Sequence, residues 1–148
     1  MKTETSSGFT LIELLMVVAV IAILAAIAYP SYRLQVQQAR RAEIQGELMA
    51  LAQYFERRYS ETGCYDAGPD NDCTTVADAA PPKVRTSFDY YDVSVGTLGA
   101  DTYTLRATPK GPQSGTGAVT IDQAQRRSWD ENNDGDVADP GEDNWHRG

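Results

Sequence analysis

From Phe9 to Ala28 the chain runs for twenty residues with a single charge, Glu13. At ~1.5 Å per residue a helix of that length covers ~30 Å, the thickness of a bilayer core. A different pattern follows. Between residues 31 and 60, Val36, Ala39, Ile44, Leu48, Leu51, Phe55 and Tyr59 recur at mostly three- and four-residue spacings and form one apolar stripe. Arg40, Arg41, Glu43, Glu47, Glu56 and Arg57 take the other faces. One helix is therefore predicted from about residue 9 to 60, ~75 Å long, kinked at Pro30 and stopped at Gly63. Residues 44, 48, 51 and 55 are core positions of that helix, not a cofactor face.

Residues 63–87 are rich in Gly, Pro, Asp and Ala and read as an irregular surface loop. The period then changes to two. Tyr91, Val93 and Val95 share one face of 90–95; Tyr103, Leu105 and Ala107 share one face of 102–108; Val119 and Ile121 share one face of 118–122. A fourth short strand fits near Arg126–Trp129. The turn-rich linkers 96–101 and 109–117 predict an antiparallel meander. Each strand has one apolar face, so the helix should cover one side of the sheet. The expected fold class is α+β: a long kinked N-terminal helix packed on a small antiparallel sheet of three to four strands.

A chain of 148 residues fits one domain, with a marginal core once the apolar run is set aside. The formal net charge of -8 and sequence pI of about 4.5 oppose a phosphate backbone, so nucleic acid is not an expected partner. The charge is uneven: Arg33, Arg40, Arg41, Arg57 and Arg58 come early, whereas residues 130–143 hold seven acids and no base. Cys64 and Cys73, nine apart among turn residues, fit a small disulfide loop in an oxidising compartment, worth ~2–3 kcal/mol by chain entropy. No Ser/His/Asp spacing, Gly-rich phosphate loop or His cluster is present, so an enzyme is not expected. The single His146 beside Trp145 is poor evidence for zinc.

The apolar run does not read as a secretory signal. Its start has one Lys2 offset by Glu4, the run is long, and Tyr29-Pro30-Ser31-Tyr32 leads straight into further helix instead of a cleavage region. Glu13 is the anomaly, because a carboxylate in lipid costs a few kcal/mol (about 2.5–3.5 on insertion scales). It either snorkels to the interface or has a partner. No Lys, Arg or His lies between Phe9 and Arg33, so a partner charge must come from another molecule or from a new N-terminus. Cleavage after Gly8 would supply an amine on Phe9, four residues before Glu13. Taken alone, the excess of Arg33, Arg40 and Arg41 over Lys2 would put the C-terminal part in the cytoplasm.

Gly8-Phe9-Thr10-Leu11-Ile12-Glu13, the apolar run and Tyr29-Pro30-Ser31-Tyr32 together resemble the class III signal of type IV pilins. The motif covers about 24 residues. The resemblance implies that a prepilin peptidase cuts after Gly8 and methylates Phe9, that Glu13 neutralises the N-terminal amine of a neighbouring subunit, and that Pro30 is the helix-kinking proline. Ala22 departs from the glycine many members carry in the stretch that unwinds on assembly; alanine favours helix by ~1 kcal/mol. The phrases Tyr103-Thr104-Leu105-Arg106-Ala107-Thr108-Pro109 and Val119-Thr120-Ile121-Asp122 look like pilin-E-type minor subunits. The implied layout is the pilin "lollipop": leader 1–8, membrane and assembly half 9–30, amphipathic half 31–62, and head 63–148 with loop 63–87, sheet 88–129 and acidic loop 130–148. The implied partners are other pilin subunits, the peptidase and an inner-membrane assembly machinery. The prepilin would sit in the inner membrane with its head in the periplasm, then leave for an extracellular filament that serves twitching motility, adhesion or DNA uptake. A DNA-uptake receptor should carry a basic stripe on the head, where the only bases are Lys83, Arg85, Arg106, Lys110, Arg126, Arg127 and Arg147.

The leader motif and the cysteine pair both point outward, against the charge bias across the span. A monomeric membrane-anchored binding module would not need Glu13. The segment Asp130-Glu131-Asn132-Asn133-Asp134-Gly135-Asp136 matches the opening of a calcium loop, with oxygen ligands at alternate positions and glycine sixth. Position twelve is Gly141 instead of glutamate, and no helix pair flanks the loop, so this is not an EF-hand. A loop site would use Asp130, Asn132, Asp134, the Asp136 backbone, and Asp139 or Glu142. The plainer alternative is a solvated acidic turn. Many type IV pilins close this region with a disulfide, which this chain lacks after Cys73, and major pseudopilins of type II secretion bind calcium there. The alternative function is therefore a type II secretion pseudopilin with a calcium-stabilised C-terminal loop.

Overall fold

A computed structural model of the chain describes residues 9–66, 73 and 86–145. The leader 1–8 with Gly8, most of the loop 63–87 with Lys83 and Arg85, and the end 146–148 with His146 and Arg147 lie outside the described residues. Contacts divide the chain into two compact units, residues 1–38 and 39–148. One helix, α1, Leu11–Thr62, begins in the first and ends in the second, with Pro30 inside it.

In the first unit the helix presents its apolar side chains outward. It contains an 18-residue stretch long and apolar enough to cross a membrane, none of it buried within the chain. Exposed Leu, Ile and Val all round a helix are what a lipid environment, not water, stabilises.

In the second unit α1 covers a four-stranded antiparallel sheet: β1 Tyr91–Leu98, β2 Tyr103–Pro109, β3 Val119–Asp122 and β4 Arg127–Trp129, in spatial order 1-2-3-4. A 3-10 turn, Gly111–Gln113, interrupts the β2–β3 connection. The register aligns Val93, Ala107, Val119 and Trp129 in one row and Val95, Leu105, Ile121 and Arg127 in the next. Because side chains alternate across a strand, these rows face one side, and Ser94, Arg106, Thr120 and Ser128 face the other. Ile44, Leu48, Leu51 and Phe55 of α1 are buried against Tyr91, Tyr103, Leu105 and Ile121. The Phe55 ring stacks on Tyr103 at 4.8 Å between centroids, and Tyr65 meets Tyr103 edge-on at the same distance. Each such fully buried apolar side chain contributes ~1.5–3 kcal/mol.

The stripe is shorter than its sequence period. Val36 is half-buried, whereas Ala39 and Tyr59 are exposed. Tyr59 sits on the rim, with its ring 4.6 Å from Tyr65 and its hydroxyl donating to Asp101. Gln45 and Ala52 are buried without having been expected. Gly63 adopts φ +83° and donates its N–H to Tyr59 O, which ends the helix. Cys64 and Cys73 form the disulfide, with Cα atoms 5.9 Å apart.

Candidate functional site

Two places carry chemistry: the start of α1 and the acidic tail. Thr10 caps the helix. Its Oγ1 accepts the Glu13 N–H at 3.3 Å, while Glu13 Oε2 accepts from the Thr10 hydroxyl at 3.4 Å and the Thr10 N–H at 3.5 Å. This is a capping box, and the helix dipole favours a carboxylate in the first turn. Glu13 therefore has local, uncharged partners, which the expectation of a charged partner from another molecule or a new N-terminus did not include. The Thr-x-x-Glu spacing was the available signal. Phe9, at the other side of the Gly8 bond, is exposed.

The six residues read as calcium ligands fall into two groups joined through Asn132, whose Oδ1 accepts the Asp134 N–H at 2.9 Å and whose Nδ2 donates to Asp134 Oδ2 at 3.1 Å. Asp130 is buried; its Oδ1 accepts from the Asp134 N–H and its Oδ2 from the Gly135 N–H, both at 3.1 Å. Gly135, with φ +103°, makes the sharp turn that brings these groups round. Asp134 Oδ1 accepts from the Asp136 N–H, and Asp136 Oδ1 from the Ala138 N–H. These three carboxylates organise the backbone of the loop. Arg106 ties the loop to the sheet by donating to Gly135 O at 3.2 Å, 3.9 Å from Asp130 Oδ2.

Asn132, Asp139 and Glu142 share one open groove with Glu131 and Pro140. Asn132 Nδ2 donates to Asp139 Oδ2 at 2.8 Å. Glu142 is 3% exposed. Its Oε1 accepts the N–H groups of Glu131 and Asn132, at 2.9 and 3.4 Å, while its Oε2 is buried with no partner among the described residues. Trp129 N–H donates to Glu142 O, so residue 142 pairs with the free edge of β4. Trp145 closes the tail: its Nε1 donates to Thr120 O, and its carbonyl accepts from Gln45. Among the described residues, no three His, Cys, Asp or Glu side chains converge as a metal-holding group.

The described bases on and around the sheet are engaged. The Arg40 guanidinium lies 3.7 Å from the Tyr90 ring centroid and that of Arg41 3.6 Å from Trp129. Burial pushes Arg41 below its ordinary pKa, opposed by Tyr91 and Glu131. Lys110 pairs with Asp92 and Arg126 with Asp122, both at 2.6 Å. The hydrogen bond from Lys110 holds Asp92 below the usual carboxylate range. One cluster escaped sequence reasoning altogether. Glu56, on the helix, accepts from the hydroxyls of both Tyr65 and Tyr103, at 3.2 and 3.1 Å. Burial, then the Glu56 charge, pushes Tyr65 up to about 12 and also raises Tyr103.

Residues 30–118, more than half of the chain, match the family described as type IV minor pilin ComP, DNA uptake sequence receptor. The chain belongs to the type IV minor pilins. Residues 5–29 of this minor pilin match the prokaryotic N-terminal methylation motif. It is 35% identical over 125 residues to the fimbrial protein EcpC of Eikenella corrodens, covering 80% of this chain and 76% of the relative. Its fold resembles the non-core minor pilin PilV of Neisseria meningitidis, with a TM-score of 0.52 at 20% identity, over 72% of this chain and 98% of that one. That likeness speaks for the fold alone. The family is that of pilus subunits, which are structural proteins, and it favours this reading over the secretion pseudopilin.

Proposed function

We propose that this minor pilin enters the inner membrane as a precursor, is cut between Gly8 and Phe9, is methylated on the new Phe9 amine, and joins a filament through the first half of α1. The head waits in the periplasm. Other pilins, the prepilin peptidase and the inner-membrane assembly machinery are the partners, and Pro30 is the point at which the helix can bend. The observation that supports it most is Glu13: a carboxylate on an apolar helix whose partners among the described residues are the uncharged groups of Thr10. Removing such a charge from lipid favours docking against the amine of a neighbour. Glu13→Ala should still be cut after Gly8, yet disappear from sheared filaments. If the variant enters filaments as the wild type does, the assembly role is wrong.

The acidic tail is read as a calcium site held by Asn132, Asp139 and Glu142. Glu142 Oε2 supports this, because a buried carboxylate oxygen without a partner is costly and a hard cation prefers such oxygen donors. A ligand bound only to the folded state must raise its melting temperature. Equal melting in calcium and in chelator would remove the site.

The family's description favours a second reading, contact with DNA, against the expectation drawn from the net charge. Net charge sums the whole chain. Arg126 and Arg127 line an open groove with Thr104, Thr120 and Ser128 on the sheet, beside Asp122 and Asp143, and the Arg126 side chain stays 76% exposed although it pairs with Asp122. DNA binding by the purified pilin should weaken steeply with salt. No mobility shift at low salt, or one that Arg126→Ala leaves unchanged, rejects this surface.

A further inference from the structure

The first charge after the apolar run is Arg33. Tyr29, Tyr32 and Arg33 lie at helix spacings of three and four and so share one face of α1. Tyr29 and Tyr32 are 64% and 66% exposed, and the Arg33 guanidinium stands 5.9 Å from the Tyr29 ring centroid. Within the first unit no acidic side chain pairs with Arg33 among the described ion pairs. Arg40 and Arg41, which follow it, are taken by the rings of Tyr90 and Trp129 in the head.

We propose that Tyr29, Tyr32 and Arg33 form a docking face for the phosphate of an anionic phospholipid, at the rim of the membrane from which the subunit is later drawn. The proposal rests on the reading of residues 9–30 as a membrane span. Tyrosines collect at headgroup depth because the ring is apolar and the hydroxyl polar. An arginine one turn beyond Tyr29 extends its stem along the apolar surface and delivers its guanidinium to the headgroups. The planar fork then matches two phosphate oxygens. Position, charge complementarity and continuity with the span all select the same occupant. The contact also answers the charge bias across the span: Arg33 is neutralised on the outer side instead of pulling the segment inward. On assembly it must be released together with the lipid contacts of the helix.

The test uses the full chain in phosphatidylcholine bilayers containing spin-labelled phosphatidylglycerol, and reads the association of the labelled lipid with the protein relative to phosphatidylcholine. One basic group near the headgroups is worth ~1 kcal/mol, so the wild type should prefer the anionic lipid about fivefold more than Arg33→Gln does. Arg33→Lys should keep only part of the preference, because the charge stays but the planar fork is lost, and salt should reduce it. The variant sits on an exposed helical position where glutamine is well tolerated, so a folding failure is not expected to obscure the result. An equal preference in wild type and Arg33→Gln overturns the proposal. Equal lipid preference with Arg33→Gln lost from filaments also overturns it, and assigns Arg33 to a neighbouring subunit. A chain that washes out of the bilayer at alkaline pH refutes the membrane span beneath the proposal, which separates that failure from the others.

Discussion

Gly115 and Gly117 allow one experiment in which backbone strain and steric overlap separate. Both lie in the β2–β3 connection with nearly the same left-handed conformation, φ +81° and +80°. Alanine at either position must accept that conformation at a cost of ~1–2 kcal/mol. A Cβ on Gly115 would meet nothing within 4 Å. A Cβ on Gly117 would lie 1.5 Å from Asp130 O and 2.6 Å from its carbonyl carbon, both backbone atoms, and 3.1 Å from Trp129 Nε1. Relief requires moving the end of β4. That movement would break the Asp130 N–H bond to Ala118 O, at 2.9 Å, and the Trp129 Nε1 bond to Thr116 O, at 2.8 Å. Two such bonds lost at ~1 kcal/mol each, with the backbone term and repacking, give ~4 kcal/mol for Gly117→Ala against ~1–2 for Gly115→Ala. For a unit of this size 1 kcal/mol moves the melting temperature by about 4–8 °C. Circular dichroism of the full chain in detergent should therefore show Gly117→Ala melting at least about 8 °C below Gly115→Ala. Equal shifts would mean that Asp130 yields freely, and the tail would not be anchored where the contacts place it.

Two further outcomes are expected. Cys64→Ser should cost ~2–3 kcal/mol, the chain entropy of a loop of roughly ten residues; reductant should lower the melting temperature of the wild type and leave that of the variant unchanged. Tyr65 and Tyr103 have raised pKa values in the folded chain, first through burial and then through Glu56. An unfolded tyrosine ionises near pH ~10. Above that pH the unfolded chain releases protons that the folded chain keeps, so stability is full below ~10 and falls as the pH rises towards the Tyr65 value of about 12. Urea midpoints at pH 9 and 11.5 should differ, and Glu56→Gln should shrink the difference; an identical drop in both proteins would exclude Glu56 as a cause.

What could be read in the sequence followed from local period and length. The apolar run, the three- and four-residue stripe through Ile44, Leu48, Leu51 and Phe55, and the alternation in β1 to β3 each report which face is buried without reference to distant residues. Two kinds of information were out of reach for that reason. The charge of Glu13 draws attention to distant cations, whereas Thr10 already meets it through a hydroxyl and an N–H three residues away. In the tail, seven acids look alike, and the calcium-loop pattern assigns ligands by spacing alone. Burial makes them unequal. Asp130 is held under the Gly117 turn, so its carboxylate faces its own backbone and forms the loop. Glu142 returns to β4 because Trp129 N–H needs a partner and Trp145 needs a buried site beside Gln45. Only then does one carboxylate oxygen become sealed without a partner. The chemistry of the tail is thus decided by a glycine, a tryptophan and a free strand edge, none of which belongs to the acidic motif. If the tail holds calcium as proposed, Gly117→Ala should therefore shrink the rise in melting temperature that calcium gives, as well as lower stability, although Gly117 contributes no ligand.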